Sequence, residues 1–543
     1  MKRFLSCLFL LTLVSLSCGQ SPGVPSSTPA SSASPVNNPG ISGQFTIAIE
    51  YGILGVAQSY QSTGVTYAKL QDVFAMWGNI EPIRDQYSWG PTDAIVTEYQ
   101  QAGFTGLQLD ISALSPWAAS KPPAAGNKGD AFPKPEYLGD YAAFVKTLVE
   151  RYDGDGLDDM PGLLYPIHDW GIEREFTGYW PGSAEEYIQL LRTAYPAIKS
   201  ADPQARVLLV ALLMADVFDG DPNHSVLEKR LATPVDYMRK SVSEIKTILA
   251  ACDSYDMVDF HSLGNYTEIP PTTLWIREQL KASGCPEKPI WIGDAFPMSG
   301  LVGYGGFVPP TPFSPVTLAT RDDMVALLKE MADPADDHHG QARDWMYAET
   351  AINLVRKAVA SAGEGLLGIN LGNLEDWKTG LPAVDKITVP MLGASMFMGL
   401  TDTTITTQIP GGNLPFNGVE WSKARRVGEH RPGFYALGLV THQLQGFTSV
   451  TRLDLGKGVW VYRFERPQGP VWVLWYDDGS LVLPGMEPPQ VTINLPFPGT
   501  IALLTLTPTR LGVAQPEVQS ATALSGSLEL ILNSVPVFVE VVN

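Results

Sequence analysis

The sequence predicts an α/β protein, a closed parallel (β/α)8 (TIM) barrel followed by a small C-terminal antiparallel β-sandwich. Three observations carry this. Eight apolar strand candidates alternate with amphipathic helical stretches between Phe45 and Leu371. Acidic residues recur at the C-terminal ends of those candidates, where a parallel barrel assembles its site. Near Gly446 the helical period stops, and short strands split by Gly, Pro and Asp turns take over.

In chain order, Lys2 and Arg3 precede an apolar run from Phe4 to Val14, then Ser15-Leu16-Ser17-Cys18. That run is too short to span a bilayer and reads as a secretory signal. It resembles a bacterial lipoprotein signal, in which Cys18 is lipidated, so residues 1–18 form the signal. Residues 19–43 are mostly Ser, Pro, Ala, Gly and Asn, a composition that buries no core and reads as a disordered tether. The expectation is an extracytoplasmic bacterial lipoprotein, held to a membrane or cell surface by its lipid.

The barrel is expected over 44–445. Its strand candidates are 45–50, 67–72, 106–111, 163–170, 207–213, 257–261, 289–294 and 366–371. Between them, 137–152 sets Tyr141, Phe144, Val145, Leu148 and Tyr152 on one helical face. Ser183-Ala184-Glu185-Glu186 is a capping box that opens the next helix, and Asp202-Pro203 ends it. Eight such units in about 400 residues favour a closed barrel over an open sheet. Segments 296–320 and 376–431 are expected as loops over its top. The sandwich, 446–543, has strand candidates at 459–464, 471–476, 491–495, 501–506, 528–532 and 537–542.

Composition narrows the partners. A net charge of -20 argues against a nucleic-acid partner, because phosphate binding needs clustered Lys and Arg. The 13 tryptophans suit stacking on sugar faces and equally suit a large core. Setting aside Cys7 and Cys18 leaves Cys252 and Cys285, each a few residues before a strand candidate. If those strands are neighbours, both cysteines sit at one end of the sheet and a disulfide is sterically open. Asp153, Asp155, Asp158 and Asp159 space hard oxygen ligands as calcium loops do, on the face away from the site, so an ion there would be structural. Asp336-Asp337-His338-His339 lacks partners at metal spacing and reads as a solvated loop.

The strand-end acids are Glu50, Asp72, Asp110, Glu173, Glu175, Asp294, Glu375 and Asp376. Hydrolysis of a glycosidic bond needs two carboxyl groups flanking it, one to protonate the leaving oxygen and one to attack or to activate water. Here the chain resembles a known group. Trp77-Gly78-Asn79-Ile80-Glu81-Pro82, Ser115-Pro116-Trp117-Ala118, Trp170–Phe176, Val258-Asp259-Phe260-His261 and Lys288-Pro289-Ile290-Trp291-Ile292-Gly293-Asp294 resemble successive strand regions of clan A glycoside hydrolases. The likeness is to the β-xylosidase/α-L-iduronidase-like and cellulase-like branches, and runs from about residue 45 to the end.

The resemblance implies a carbohydrate substrate, a retaining mechanism and no required cofactor. It places Glu175 at the acid/base and Asp294 at the nucleophile, with Glu173 a reserve acid. His261 and Arg174 would help hold the sugar, Lys69 would stand in the supporting position of strand two, and Trp77, Trp117, Trp180 and Trp377 are candidate sugar platforms. Three departures stand against activity. Arg174 replaces an Asn, Lys69 replaces an Arg, and Asp294 is a methylene shorter than the usual Glu. A guanidinium beside Glu175 would hold it ionised when an acid catalyst needs its proton. The competing expectation is therefore a catalytically degenerate, surface-anchored glycan-binding protein on a glycosidase scaffold.

Overall fold

The computed structural model describes residues 45–120, 132–214, 217–233, 240–296, 318–376, 397–405 and 425–542. The signal, the tether, Cys18 and Trp377 lie outside them. Eight parallel strands close into a barrel in sequence order: β1 (Thr46–Gly52), β2 (Tyr67–Leu70), β3 (Gly106–Ile111), β4 (Asp169–Ile172), β5 (Arg206–Leu212), β6 (Met257–Ser262), β7 (Ile290–Ala295) and β8 (Gly368–Leu371). The seam is β1 against β8, with Thr46, Ile47 and Ala48 opposite Gly368, Ile369 and Asn370.

The barrel interior is polar in one layer. Lys69 Nζ reaches across from β2 to the Gly293 carbonyl on β7, 3.0 Å, and the Asn370 amide donates to the same oxygen at 3.0 Å. Outside, helix Leu138–Glu150 buries Tyr141, Phe144, Val145 and Leu148, the face its spacing dictates. Helix Ala184–Ala201 opens on the capping box, with Ser183 Oγ accepting from Glu186 N and Glu186 Oε2 accepting from Ser183 N. Cys252 and Cys285, Cα atoms 6.0 Å apart, form a disulfide across the segments that lead into β6 and β7. Among the described residues no helix is long and apolar enough to cross a membrane.

Within the barrel, β4 differs most from expectation. The apolar run before Trp170 is loop, and β4 begins only at Asp169. Gln100 explains the loop: its side chain accepts from Leu164 N at 2.8 Å and donates to Tyr165 O at 2.7 Å, so those backbone groups are satisfied without a strand partner. Leu164 and Tyr165 themselves face solvent.

After the barrel, β9 (Thr404–Ile405) pairs with β10 (Arg425–Arg426). The C-terminal strands are β11 (Ser449–Arg452), β12 (Val459–Glu465), β13 (Val471–Tyr476), β14 (Val491–Pro496), β15 (Ile501–Leu506), β16 (Val518–Thr522), β17 (Ser527–Leu532) and β18 (Val537–Val541). They form a six-stranded antiparallel sheet, β11-β12-β13-β18-β15-β16, and the pair β14-β17. This unit docks on helix His339–Gly363. A Cβ on Gly363 would lie 2.1 Å from the Tyr462 ring of β12, so only glycine permits that approach.

Candidate active site

The C-terminal ends of β1, β4, β6 and β7 bring four side chains together. Glu175 follows β4 as the first residue before the short helix Phe176–Tyr179, and a Cβ on Gly178 would strike its Oε2 at 2.0 Å. The carboxylate therefore needs glycine beneath it. His261 on β6 and Asp294 on β7 sit side by side in the ladder. His261 Nδ1 is 2.7 Å from Glu175 Oε1 and 4.0 Å from Asp294 Oδ2. Those two distances, measured from one nitrogen, hold Glu175 Oε1 and Asp294 Oδ2 within about 7 Å of each other, which admits retaining geometry and most of the inverting range lies beyond it. The three residues are almost enclosed, at 8%, 8% and 4% exposure for Glu175, His261 and Asp294.

Hydrogen bonds hold the acid of β7 in place. The Tyr51 hydroxyl donates to Asp294 Oδ2 at 2.7 Å, from a backbone at φ 52. That left-handed conformation strains a non-glycine residue and turns the phenol inward. Behind Asp294, Gly293 N donates to Asp259 Oδ1 at 2.7 Å. A Cβ at Gly293 would sit 2.1 Å from Asp259 Oδ2, so glycine at 293 is what admits the Asp259 carboxyl.

Proton positions follow from burial and charge. Burial disfavours a charge on His261, but the Glu175 hydrogen bond and the charges of Glu175, Asp294 and Asp259 outweigh it and raise its pKa. Burial pushes Asp259 up to about 7, against the pull of His261 and Lys69. Glu50, at the end of β1, is held well above the usual carboxylate range by burial first and the neighbouring Asp294 charge second.

The structure redistributes several sequence-derived candidates. Arg174 Nε pairs with Asp72, which opens the short helix Asp72–Ala75 after β2, so its charge is opposed by a carboxylate that belongs to neither proposed catalytic position. Glu173 does not share a strand face with Glu175. β4 ends at Ile172, Glu173 turns to φ 64, and its Oε1 accepts from Ala113 N at 2.5 Å in the loop after β3. Lys69 is buried, bonded to Gly293 O and 3.3 Å from Asp110 Oδ2. It supports β7 through the backbone rather than holding sugar.

Two of the tryptophans are core residues rather than sugar platforms. Trp77 is fully buried, its N–H on Glu81 Oε2 and its face against Phe144. Trp180 is buried, donates to Ser183 O and packs on Tyr187 and Phe132. Neither has a face for a ligand. Trp117 is half-buried between Trp77 and Tyr137, with its N–H on Glu81 O. In the acidic loop, Asp153 and Asp155 converge with Glu150, their ligand atoms within 4.8 Å. Asp159 instead caps the Gly154 and Gly156 amides, and Asp158 stands outside that convergence. Strand-end Asp376 is bound bidentately by Arg431 at 2.7 and 3.0 Å and is structural.

Sequence reasoning gave no role to Glu50, Tyr51 or Asp259. Glu50 was visible as a strand-end acid; Tyr51 carries no signal, because its inward turn depends on a backbone angle.

No family model matches the chain, and no curated protein matches it in sequence. Its fold is similar to that of solved glycoside hydrolases. It is similar to a family 39 glycoside hydrolase from the gut symbiont Bacteroides cellulosilyticus WH2, with TM-score 0.52 and 13% identity over 92% of this chain and 81% of that one. It is also similar to a monomeric β-xylosidase from Caulobacter crescentus CB15, with TM-score 0.51 and 13% identity over 93% of this chain and 98% of that one.

Proposed function

We propose that the chain is an extracytoplasmic glycoside hydrolase that cleaves O-glycosidic bonds of a poly- or oligosaccharide by a two-carboxylate retaining mechanism. The observation that carries this is the placing of Glu175 and Asp294 around one histidine nitrogen, with Arg174 opposed by Asp72. His261, its pKa raised, holds a proton against Glu175 on a 2.7 Å bond. Glu175 passes it to the leaving oxygen while an Asp294 oxygen bonds the anomeric carbon. In the second step Glu175 takes a proton from water, whose oxygen displaces Asp294. Removing either carboxylate should lower the rate by about 10²-fold or more. Turnover of a panel of aryl glycosides and polysaccharides by Glu175→Gln and Asp294→Asn checks this, and wild-type rates in both variants would remove the assignment.

The shortness of Asp294 favours a second reading, a glycan-binding protein without turnover. Saturable glycan binding with no hydrolysis, insensitive to Asp294→Asn, would select it. In either case the chain is anchored through lipid on Cys18. Incorporation of labelled palmitate, lost in Cys18→Ala, is the expected result; equal labelling of the variant would refute the anchor.

A further inference from the structure

Two enclosed carboxylate oxygens, Glu50 Oε1 and Asp294 Oδ1, have no donor among the described residues. Their other oxygens are engaged, Glu50 Oε2 with Ala295 N at 3.3 Å and Asp294 Oδ2 with the Tyr51 hydroxyl at 2.7 Å. Ala295, which Glu50 Oε2 reaches, directly follows Asp294 on β7, so the Glu50 carboxyl lies against the backbone that carries Asp294, and the Asp294 charge helps to raise its pKa. Two ionised carboxylates only accept, so a bond between them requires a proton on one. Lys69 is turned elsewhere, its Nζ on Gly293 O and Asp110.

We infer that Glu50 is a positioning residue for Asp294: its neutral carboxyl donates a hydrogen bond to Asp294 Oδ1, so that Tyr51 and Glu50 fix the two oxygens of the short acid between them. This rests on the reading of Asp294 as the nucleophile. The proton stays on Glu50 because burial and the neighbouring Asp294 charge hold its carboxyl well above the usual range, while Tyr51 already donates to Asp294 Oδ2. When the bond from Asp294 to the sugar breaks, the returning carboxylate finds both donors in place, which favours its departure. Above the pH at which Glu50 ionises, two like charges face each other, and Asp294 loses both its donor and its position.

The titratable groups facing Glu50 are Asp294 from β7, Lys69 from β2, Tyr51 from β1, Tyr60 from the turn Ala57–Thr63 and Lys357 from helix His339–Gly363. Lys357 is fully enclosed with its Nζ on Ser262 O. Lys69 favours the Glu50 charge; burial and Asp294 oppose it more strongly.

The test is infrared spectroscopy of the full chain well above pH 7, where Asp259, pushed up to about 7, has largely lost its proton, paired with pH–rate profiles. Wild type should show a protonated-carboxyl C=O band that Glu50→Gln lacks. In Asp294→Asn the band should disappear at lower pH than in wild type, because the facing charge is gone. The rate of wild type should fall on the alkaline side in step with the band. Glu50→Gln donates through an amide that cannot ionise, so this limb should vanish from its profile. A band that survives in Glu50→Gln, or an alkaline limb that persists there, would overturn the inference. A band that behaves as expected without hydrolysis of any glycoside supports the shared proton and defeats the catalytic reading alone. Should Glu50→Gln fail to fold, the shift of the band in Asp294→Asn decides.

Discussion

Asp259 ties β6 to the strand that bears Asp294, and it does so from a fully enclosed position. Its pKa rises from 3.8 in the unfolded chain to about 7, chiefly through burial. Between those values the folded protein binds more protons than the unfolded one, so stability falls as pH rises from about 4 to about 7 and is level above. Asp259→Asn cannot ionise and should lose this slope. Relative to the variant, wild type should weaken by at most roughly 4 kcal/mol across that window, at about 1.4 kcal/mol for each unit of raised pKa. Urea denaturation of both proteins at pH 4 and pH 8 measures the difference. An equal gap at the two pH values would mean that Asp259 is not held neutral.

At the scale of elements, what was legible followed local rules. The capping box at Ser183 needs only two side chains three positions apart, and the helix starts there as read. Strands β13 and β15 fall on the expected residues because each is an apolar run cut by turn residues. Strand β4 starts later than its apolar run because Gln100, more than sixty positions away, satisfies that segment as loop. β11 and β16 were missed for another reason: neither has a buried residue, so neither shows an apolar pattern. Glu173 shows a third limit. The alternation argument that paired it with Glu175 fails at the left-handed residue which ends β4. Motif likeness placed Glu175, His261 and Asp294 together, whereas the bond from Ala295 N to Glu50 depends on how β1 and β7 flank β8 where the barrel closes. No local pattern encodes that.

For the whole molecule, the barrel and the C-terminal sheet meet over a polar joint set in aromatic packing. Asp477 Oδ2 accepts from the Tyr266 hydroxyl at 2.9 Å and from Arg356 Nη1 at 3.1 Å. Arg356 also lies over the Tyr266 ring, 5.1 Å from its centroid, and donates to Ser534 O. Trp475 donates to the Tyr266 oxygen at 2.9 Å and stacks on Trp460. Each of these groups is largely cut off from water, with the Arg356 side chain 6% and that of Asp477 15% exposed. Deleting one partner therefore leaves a charge that solvent reaches poorly. Asp477→Ala should lower stability by about 3 kcal/mol, the scale for breaking a buried pair, since it strands Arg356 and the Tyr266 hydroxyl together. Asp477→Asn keeps an acceptor for both and should lose less than half as much. Urea midpoints of the two variants distinguish a joint that holds the units together from an incidental contact: losses of about 0.5 kcal/mol in both, as at an exposed pair, would show the latter.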